Sequence, residues 1–177
     1  MSDFTYERGP VDADIAHGNL KPGVDLHEAI RKRLYPVAGD QPTCVRYDLL
    51  LPRSVPDTLA RWERLCDDFV AAQLPDQQDR LTITTIRSDP DEPLHVAWER
   101  VRGFCLKEIV DAPAIHAPVL LVQHDPGEAG RSSKPHTHAA TFSRQWRQRW
   151  GPFHDLMRPG AKARIATSWA AWMAAHP

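Results

Sequence analysis

With 177 residues, 42% hydrophobic and 25% charged, the chain is long enough for one domain that buries about two-thirds of its unfolded surface. No apolar run approaches the roughly 18 residues a bilayer crossing needs, and Met1 to Arg8 has neither a basic start nor an apolar core, so neither a membrane partner nor an export signal is expected. Cys44, Cys66 and Cys105 are odd in number and widely spaced in apolar surroundings, which reads as reduced core thiols of a cytoplasmic protein.

Residues 1–24 are polar and punctuated by Gly9-Pro10, His17-Gly18 and Lys21-Pro22-Gly23, and read as a loop or mobile arm. Asp25 to Tyr35 reads as a short helix capped by Asp25 and stopped by Pro36. The first 40 residues are thus an arm and a short helix, followed over 41–177 by an α+β domain with a basic helical tail. Alternation of Val45, Tyr47, Leu49 and Leu51 predicts a strand over Thr43 to Leu51. Leu59, Trp62, Leu65, Cys66, Phe69 and Val70 fall at helical spacing and predict about five turns from Asp57 to before Pro75. The β-branched run Leu81 to Ile86 reads as a strand. Trp98, Val101, Phe104, Cys105 and Ile109 carry a second helix or a strand-to-helix passage, and Ala161 to Ala174 a last helix presenting Ile165, Trp169 and Trp172 or Met173. The expected fold is α+β: a mostly antiparallel sheet with helices packed on one face, leaving the other face free to carry a site.

Two runs remain, and they hold the chemistry. Pro118 to Gln123 leads into His124-Asp125-Pro126, and Pro135-His136-Thr137-His138 opens a second extended run through Phe142. On a strand the period is two, so His136 and His138 share a face. If the runs pair as a hairpin, His124 sits beside them, and three imidazoles form a partial metal site with open positions. Asp125 and Glu128 are the nearby acceptors that could fix the ring tautomers. His17, His27, His95, His116, His154 and His176 show no partner spacing and read as ordinary surface or core residues.

Charge is segregated. Residues 1–130 carry 14 Lys and Arg against 22 Asp and Glu, a net −8, whereas 131–177 carry eight basic residues and only Asp155, a net +7. A positive field beside a metal site suits a phosphate-bearing substrate. Arg131, Lys134, Arg144, Arg147 and Arg149 are the candidate phosphate contacts; a solvated helical face is the bland alternative. Trp169 and Trp172 read as core anchors, while Trp146 and Trp150 could be core or could stack on bases.

This arrangement resembles the MobA/MobL-type mobilisation relaxases of the HUH endonuclease superfamily. The matching residues are His124-Asp125-Pro126, the loop Gly127 to Lys134, Pro135-His136-Thr137-His138 and, more loosely, Arg144. Tyr47 to Pro52 looks like the family's strand ending in Leu-Pro, and Trp169-Ala170-Ala171-Trp172 resembles its Trp-x-x-Trp helix. The resemblance spans roughly residues 45–175. It implies an HUH-relaxase-like fold and a divalent metal (Mg, Mn or Zn) held by His124, His136 and His138. It also implies single-stranded DNA as partner in plasmid mobilisation, and a tyrosine that attacks a scissile phosphate to leave a 5′-phosphotyrosine and a free 3′-hydroxyl.

The chain departs from the pattern in three places. Thr137 stands where a bulky apolar residue is usual, residues 75–112 are extra, and the opening strand and alanine-rich helix that bear the nucleophile are not recognisable. Tyr35 and Tyr6 are nucleophile candidates by elimination, since Tyr47 falls within a strand. The reading is a metal-dependent DNA-binding and nicking protein, or a catalytically reduced relative of one. The rival is a non-enzymatic α+β binding protein with a vestigial histidine cluster and a basic tail for nucleic acid or protein. A histidine-triad hydrolase would want a histidine where Ala140 stands, and a cupin a glutamate after the pair; both are disfavoured.

Overall fold

The computed structural model describes residues 3–8, 14–35, 43–74, 77–126 and 134–176. Its elements run β1 (Phe4–Tyr6), β2 (Ile15–Leu20), α1 (Leu26–Leu34), β3 (Cys44–Leu50), α2 (Trp62–Ala71), β4 (Leu81–Arg87), α3 (Leu94–Cys105), β5 (Val119–His124), β6 (His136–Phe142), β7 (Arg144–Trp146), β8 (Trp150–Phe153) and α4 (Ala161–Ala175). Six strands make one antiparallel sheet in the order β1-β2-β4-β6-β5-β3, and β7 and β8 pair as a separate small hairpin.

The α+β class and the antiparallel sheet agree with the sequence, but the helices cover both faces rather than one. Leu81, Ile83, Leu120, Val122, Ala140 and Phe142 pack under α1 and α2. Ile86, Val119, Leu121 and Ala139 pack on the opposite side with α3 and α4. The cause is local. Runs such as Val119-Leu120-Leu121-Val122 are apolar at successive positions, so each face of the middle strands presents hydrocarbon and each needs a cover. The tryptophans belong to these covers. Trp150 stands edge-on to Phe69 with ring centroids 4.7 Å apart, and Trp169 edge-on to Phe104 at 5.1 Å. Trp146 and Trp150, 4% and 7% exposed, are therefore core residues and present no face for a base to stack on.

Several expected elements are corrected. Residues 4–6 and 15–20, read as loop or arm, are paired strands that extend the sheet at one edge. The long helix from Asp57 is divided: a single 3-10 turn at Asp57–Leu59 ends, Arg61 is extended (φ −126°, ψ 135°), and α2 starts only at Trp62. Leu59 and Trp62 thus reach the core from separate turns, which imitates the spacing of one helix. The helix from Asp25 forms as expected, with the Asp25 carboxylate accepting from the Glu28 N–H at 2.8 Å. Cys44, Cys66 and Cys105 are all free; Cys66 and Cys105 are buried and Cys44 is partly exposed.

Gly18 is what lets β1 lie against β2. A Cβ there would stand 2.5 Å from the Thr5 carbonyl oxygen and 3.0 Å from the Tyr6 Cα, both backbone atoms that cannot swing aside. Gly18→Ala is expected to lower stability by about 1–3 kcal/mol in urea unfolding, with the loss located in the β1–β2 pair.

Candidate metal and phosphate cleft

β5 and β6 form the hairpin anticipated for the histidine runs. His124 lies directly opposite His136, and His138 opposite Val122 one step in along the same face. The three imidazoles cluster at the end of the sheet face covered by α1, with centroid separations of 5.4 Å (His124–His136), 5.2 Å (His124–His138) and 4.8 Å (His136–His138). Thr137 points to the opposite face and is fully buried there, so its departure from the family pattern does not reach the cluster.

The second partners of the rings are clear. His136 Nδ1–H donates to the Lys134 carbonyl at 2.9 Å, which leaves its Nε2 with a free lone pair. Thr43 Oγ1 lies 2.9 Å from His124 Nδ1, and Thr85 Oγ1 lies 2.9 Å from His138 Nδ1. A hydroxyl can accept from Nδ1–H as the carbonyl does, and that tautomer leaves Nε2 of all three rings without a proton. These three groups hold the Nδ1 positions that Asp125 and Glu128 were expected to fill; Glu128 lies outside the described residues. The Nε2 of His124 is buried and has no hydrogen-bond partner. Burial pushes the His124 imidazole down to about 4, helped by the charges of His136 and Arg33. Burial first, then the neighbouring imidazoles and Arg33 and Arg87, holds His138 well below the usual histidine range; burial also lowers His136. At neutral pH the rings are uncharged, as a ligand must be.

Among the described residues no group of three or more His, Cys, Asp or Glu side chains is placed so that it could hold a metal ion. Imidazoles bound at about 2.1 Å around a single ion have ring centroids roughly 4.6–5.3 Å apart. The separations of His138 from the other two rings fall in that range, but His124 and His136 stand 5.4 Å apart and stacked, 23° between planes, so these two rings do not converge.

A cleft of ≈ 320 Å³ opens over the histidines, lined also by Tyr6, Lys32, Arg33, Thr43 and Pro126. Of the two nucleophile candidates, Tyr6 on β1 is in the lining. Tyr35, at the end of α1, is not, and is 59% exposed. The cleft's cations are not the expected ones. Arg144 is buried, and donates to the carbonyls of Gly151, Ala72 and Trp150 at 2.6, 2.7 and 2.9 Å, which makes it a structural strut of the β7–β8 hairpin. Arg147 and Arg149 are exposed at the turn of that hairpin, beyond the Phe142 end of β6 and about 20 Å of strand from His136. Lys134 lends the cleft its carbonyl and is not in the cleft's lining; it lines a different depression with Ser88, Arg100 and Trp169. Arg131 lies outside the described residues. Sequence reading missed Lys32, Arg33, Thr43 and Thr85. Thr43 and Thr85 come from the chain leading into β3 and from β4, the strands that flank the hairpin, and Lys32 and Arg33 from α1, which covers that face.

No protein-family model matches the chain, and no curated protein does. A solved structure bearing on the molecular basis of vancomycin resistance transfer in Staphylococcus aureus shares its fold, with a TM-score of 0.56 at 16% identity over 73% of this chain. The chain spans 66% of that structure's length. The likeness is one of fold.

Proposed function

We propose that the protein is a metal-dependent single-stranded DNA nicking protein of the relaxase type, with His124, His136 and His138 as metal ligands and Tyr6 as nucleophile. The observation that carries this reading is the meeting, in one cleft, of three neutral imidazoles with free Nε2 positions, a tyrosine and an arginine. The orphaned, buried Nε2 of His124 fits a metal, and an all-imidazole set suits zinc better than magnesium. A bound dication would supply positive charge to grip the scissile phosphate. The chain's own groups do the rest. Thr43, Thr85 and the Lys134 carbonyl hold the rings in one tautomer. The Tyr6 oxygen attacks phosphorus as its proton leaves, the P–O3′ bond breaks, and the 3′-oxygen takes up a proton. The products are a 5′-phosphotyrosine on Tyr6 and a free 3′-hydroxyl.

The test is to incubate wild type and His136→Ala/His138→Ala with 5′- and 3′-labelled single-stranded DNA containing a transfer origin, with Mn²⁺ or Zn²⁺, and to look for a protein-linked 5′-phosphate. An adduct that depends on both metal and histidines is the expected result. Metal binding without adduct points to a DNA-binding relative that does not nick. Absence of metal binding ends this reading and favours the binding-protein rival, which the unconverged rings would then explain.

A further inference from the structure

The six-stranded sheet has two margins of different character. β1 closes one side with three residues. β3 closes the other with seven, and among the described residues no strand pairs with its outer edge. An open strand of that length presents backbone donors and acceptors in a row and is a template for another strand. Proteins blunt such margins with prolines, bulges or charge. The strand has no proline, and its bulge is confined to its start, between Cys44 and Arg46, after which Arg46 to Leu50 run in regular register along β5. Charge is present, but in an arrangement that selects a partner.

The register fixes which way each side chain faces. Arg46 and Asp48 stand opposite Gln123 and Leu121, on the α3 side, and Tyr47 and Leu49 stand opposite Val122 and Leu120, on the side of α1 and α2. Tyr47 is 51% exposed and Val45 40%. Arg46 and Asp48 are partly exposed and held by α3: the Arg46 guanidinium lies 5.7 Å over the Trp98 ring, and Asp48 accepts from Arg102 Nε at 2.9 Å. Both charges are therefore in place before any partner arrives, which lowers the cost of ordering them.

The order Arg46-Tyr47-Asp48 is self-complementary about its centre. An antiparallel copy of the strand, related by a two-fold axis at Tyr47, sets residue against residue on the same face. Arg46 of each copy then faces Asp48 of the other, Tyr47 meets Tyr47, and Val45 comes beside Leu49. Opposite charges and aromatic rings directly across a strand pair favour it. Moving the axis by one residue sets Arg46 against Arg46 or Asp48 against Asp48, and like charges directly opposite disfavour pairing. The same two residues thus permit one register and resist its neighbours. A second copy carries the matching pattern by symmetry.

We propose that β3 is a dimerisation edge, pairing antiparallel with β3 of a second copy about Tyr47 so that the two sheets become one. The axis is normal to the sheet, so both histidine clefts open on the same side of the joined sheet. The inference stands on the edge strand and does not need the metal reading. A strand-to-strand contact is smaller than a standard interface, so the association is weak and concentration-dependent.

The test is sedimentation velocity of the full chain at rising concentration, with near-ultraviolet circular dichroism to confirm that each variant is folded. Wild type is expected to pass from monomer toward dimer. Arg46→Glu and Asp48→Lys are each expected to weaken self-association at least about tenfold, since each sets like charges across the axis twice. An equimolar mixture of the two is expected to form a heterodimer about as tight as wild type, because every facing pair is again of opposite charge. A second probe does not depend on charged variants that could disturb the Arg102 contact. Tyr47→Cys in a Cys44→Ala background is expected to give a disulfide-linked dimer with diamide, whereas Thr5→Cys, on the other margin of the sheet, is expected to stay monomeric. A wild type that remains monomeric at every concentration overturns the proposal. So does a dimer that both charge variants leave unchanged, a mixture that does not associate, or a Tyr47→Cys chain that does not cross-link.

Discussion

Tyr6→Phe is expected to reduce formation of the covalent DNA adduct on the order of a thousandfold or more, because it deletes the attacking oxygen and leaves the ring. Tyr35→Phe, at an exposed position outside the cleft, is expected to stay within about twofold. Tyr6→Phe also removes the Tyr6 hydroxyl's hydrogen bond to Arg33, so metal and oligonucleotide binding are measured beside the adduct to separate chemistry from binding. Peptide mapping of the adduct, with the phosphotyrosine located in the β1 peptide, is the decisive readout. An adduct on Tyr35, or one that persists in Tyr6→Phe, would show that β1 does not bear the nucleophile. Tyr6 is 41% exposed at the rim rather than sealed in, which suits a group that must meet a polymer entering from outside.

The second large effect is on stability against acid; the lowered cleft histidines share in it, and a separate contribution arises away from the cleft. His154 Nε2–H donates to the Phe142 carbonyl at 2.6 Å, and its Nδ1 accepts from the Leu156 N–H at 3.2 Å. His17 Nε2–H donates to the Leu156 carbonyl at 3.0 Å, with Nδ1 against Thr84 Oγ1 at 2.9 Å. Both rings are neutral, and in His154 the Nδ1 is already taken by an N–H, so another proton there has no place to go; the Thr84 hydroxyl facing His17 Nδ1 can turn to accept one. Burial pushes His154 down to about 4 and lowers His17; Glu7 and Asp155 pull upward against it, and Arg164 presses His17 further down. The sign follows. Below about pH 6.5 the unfolded chain takes up protons that the folded chain refuses. Stability is thus full above that value and falls as the pH drops toward 4. His154 alone accounts for about 3 kcal/mol of the loss. Urea midpoints measured with chelator between pH 7 and pH 4 should fall steeply in wild type and more gently in His154→Gln. An unchanged slope in that variant would assign the acid sensitivity to other groups.

What the sequence disclosed depended on range. His124, His136 and His138 were legible because one hairpin carries them, and period-two alternation with an antiparallel turn suffices to bring them together. Helix α1 was legible from Asp25, a cap that acts within one turn. The rest of the cleft was hidden because β1, β3, β4 and α1 reach it through long-range pairing, which leaves no local pattern. Tyr6 looked like part of an arm because a three-residue strand is too short to show alternation. The basic tail misled for a related reason. Charge counts record how many cations a segment has, whereas Arg144 spends its donors on three backbone carbonyls and Arg147 and Arg149 project at the far end of β6. The sheet's second cover was missed because a strand apolar at every position reads as strand without saying that both faces are enclosed.

The ring cluster is carried by β5 and β6, flanked on both sides by hydrogen-bonded neighbours, whereas Tyr6 ends the outermost and shortest strand. Backbone at a margin opens at far lower free energy than backbone at a centre. The two halves of the proposed machinery therefore differ in permanence: heat or denaturant that frays the border strips the attacking group from its post while the imidazoles remain assembled. A partly loosened molecule would keep its grip on an ion after its chemistry had gone, and the temperature at which nicking ceases would lie below the temperature at which the protein melts.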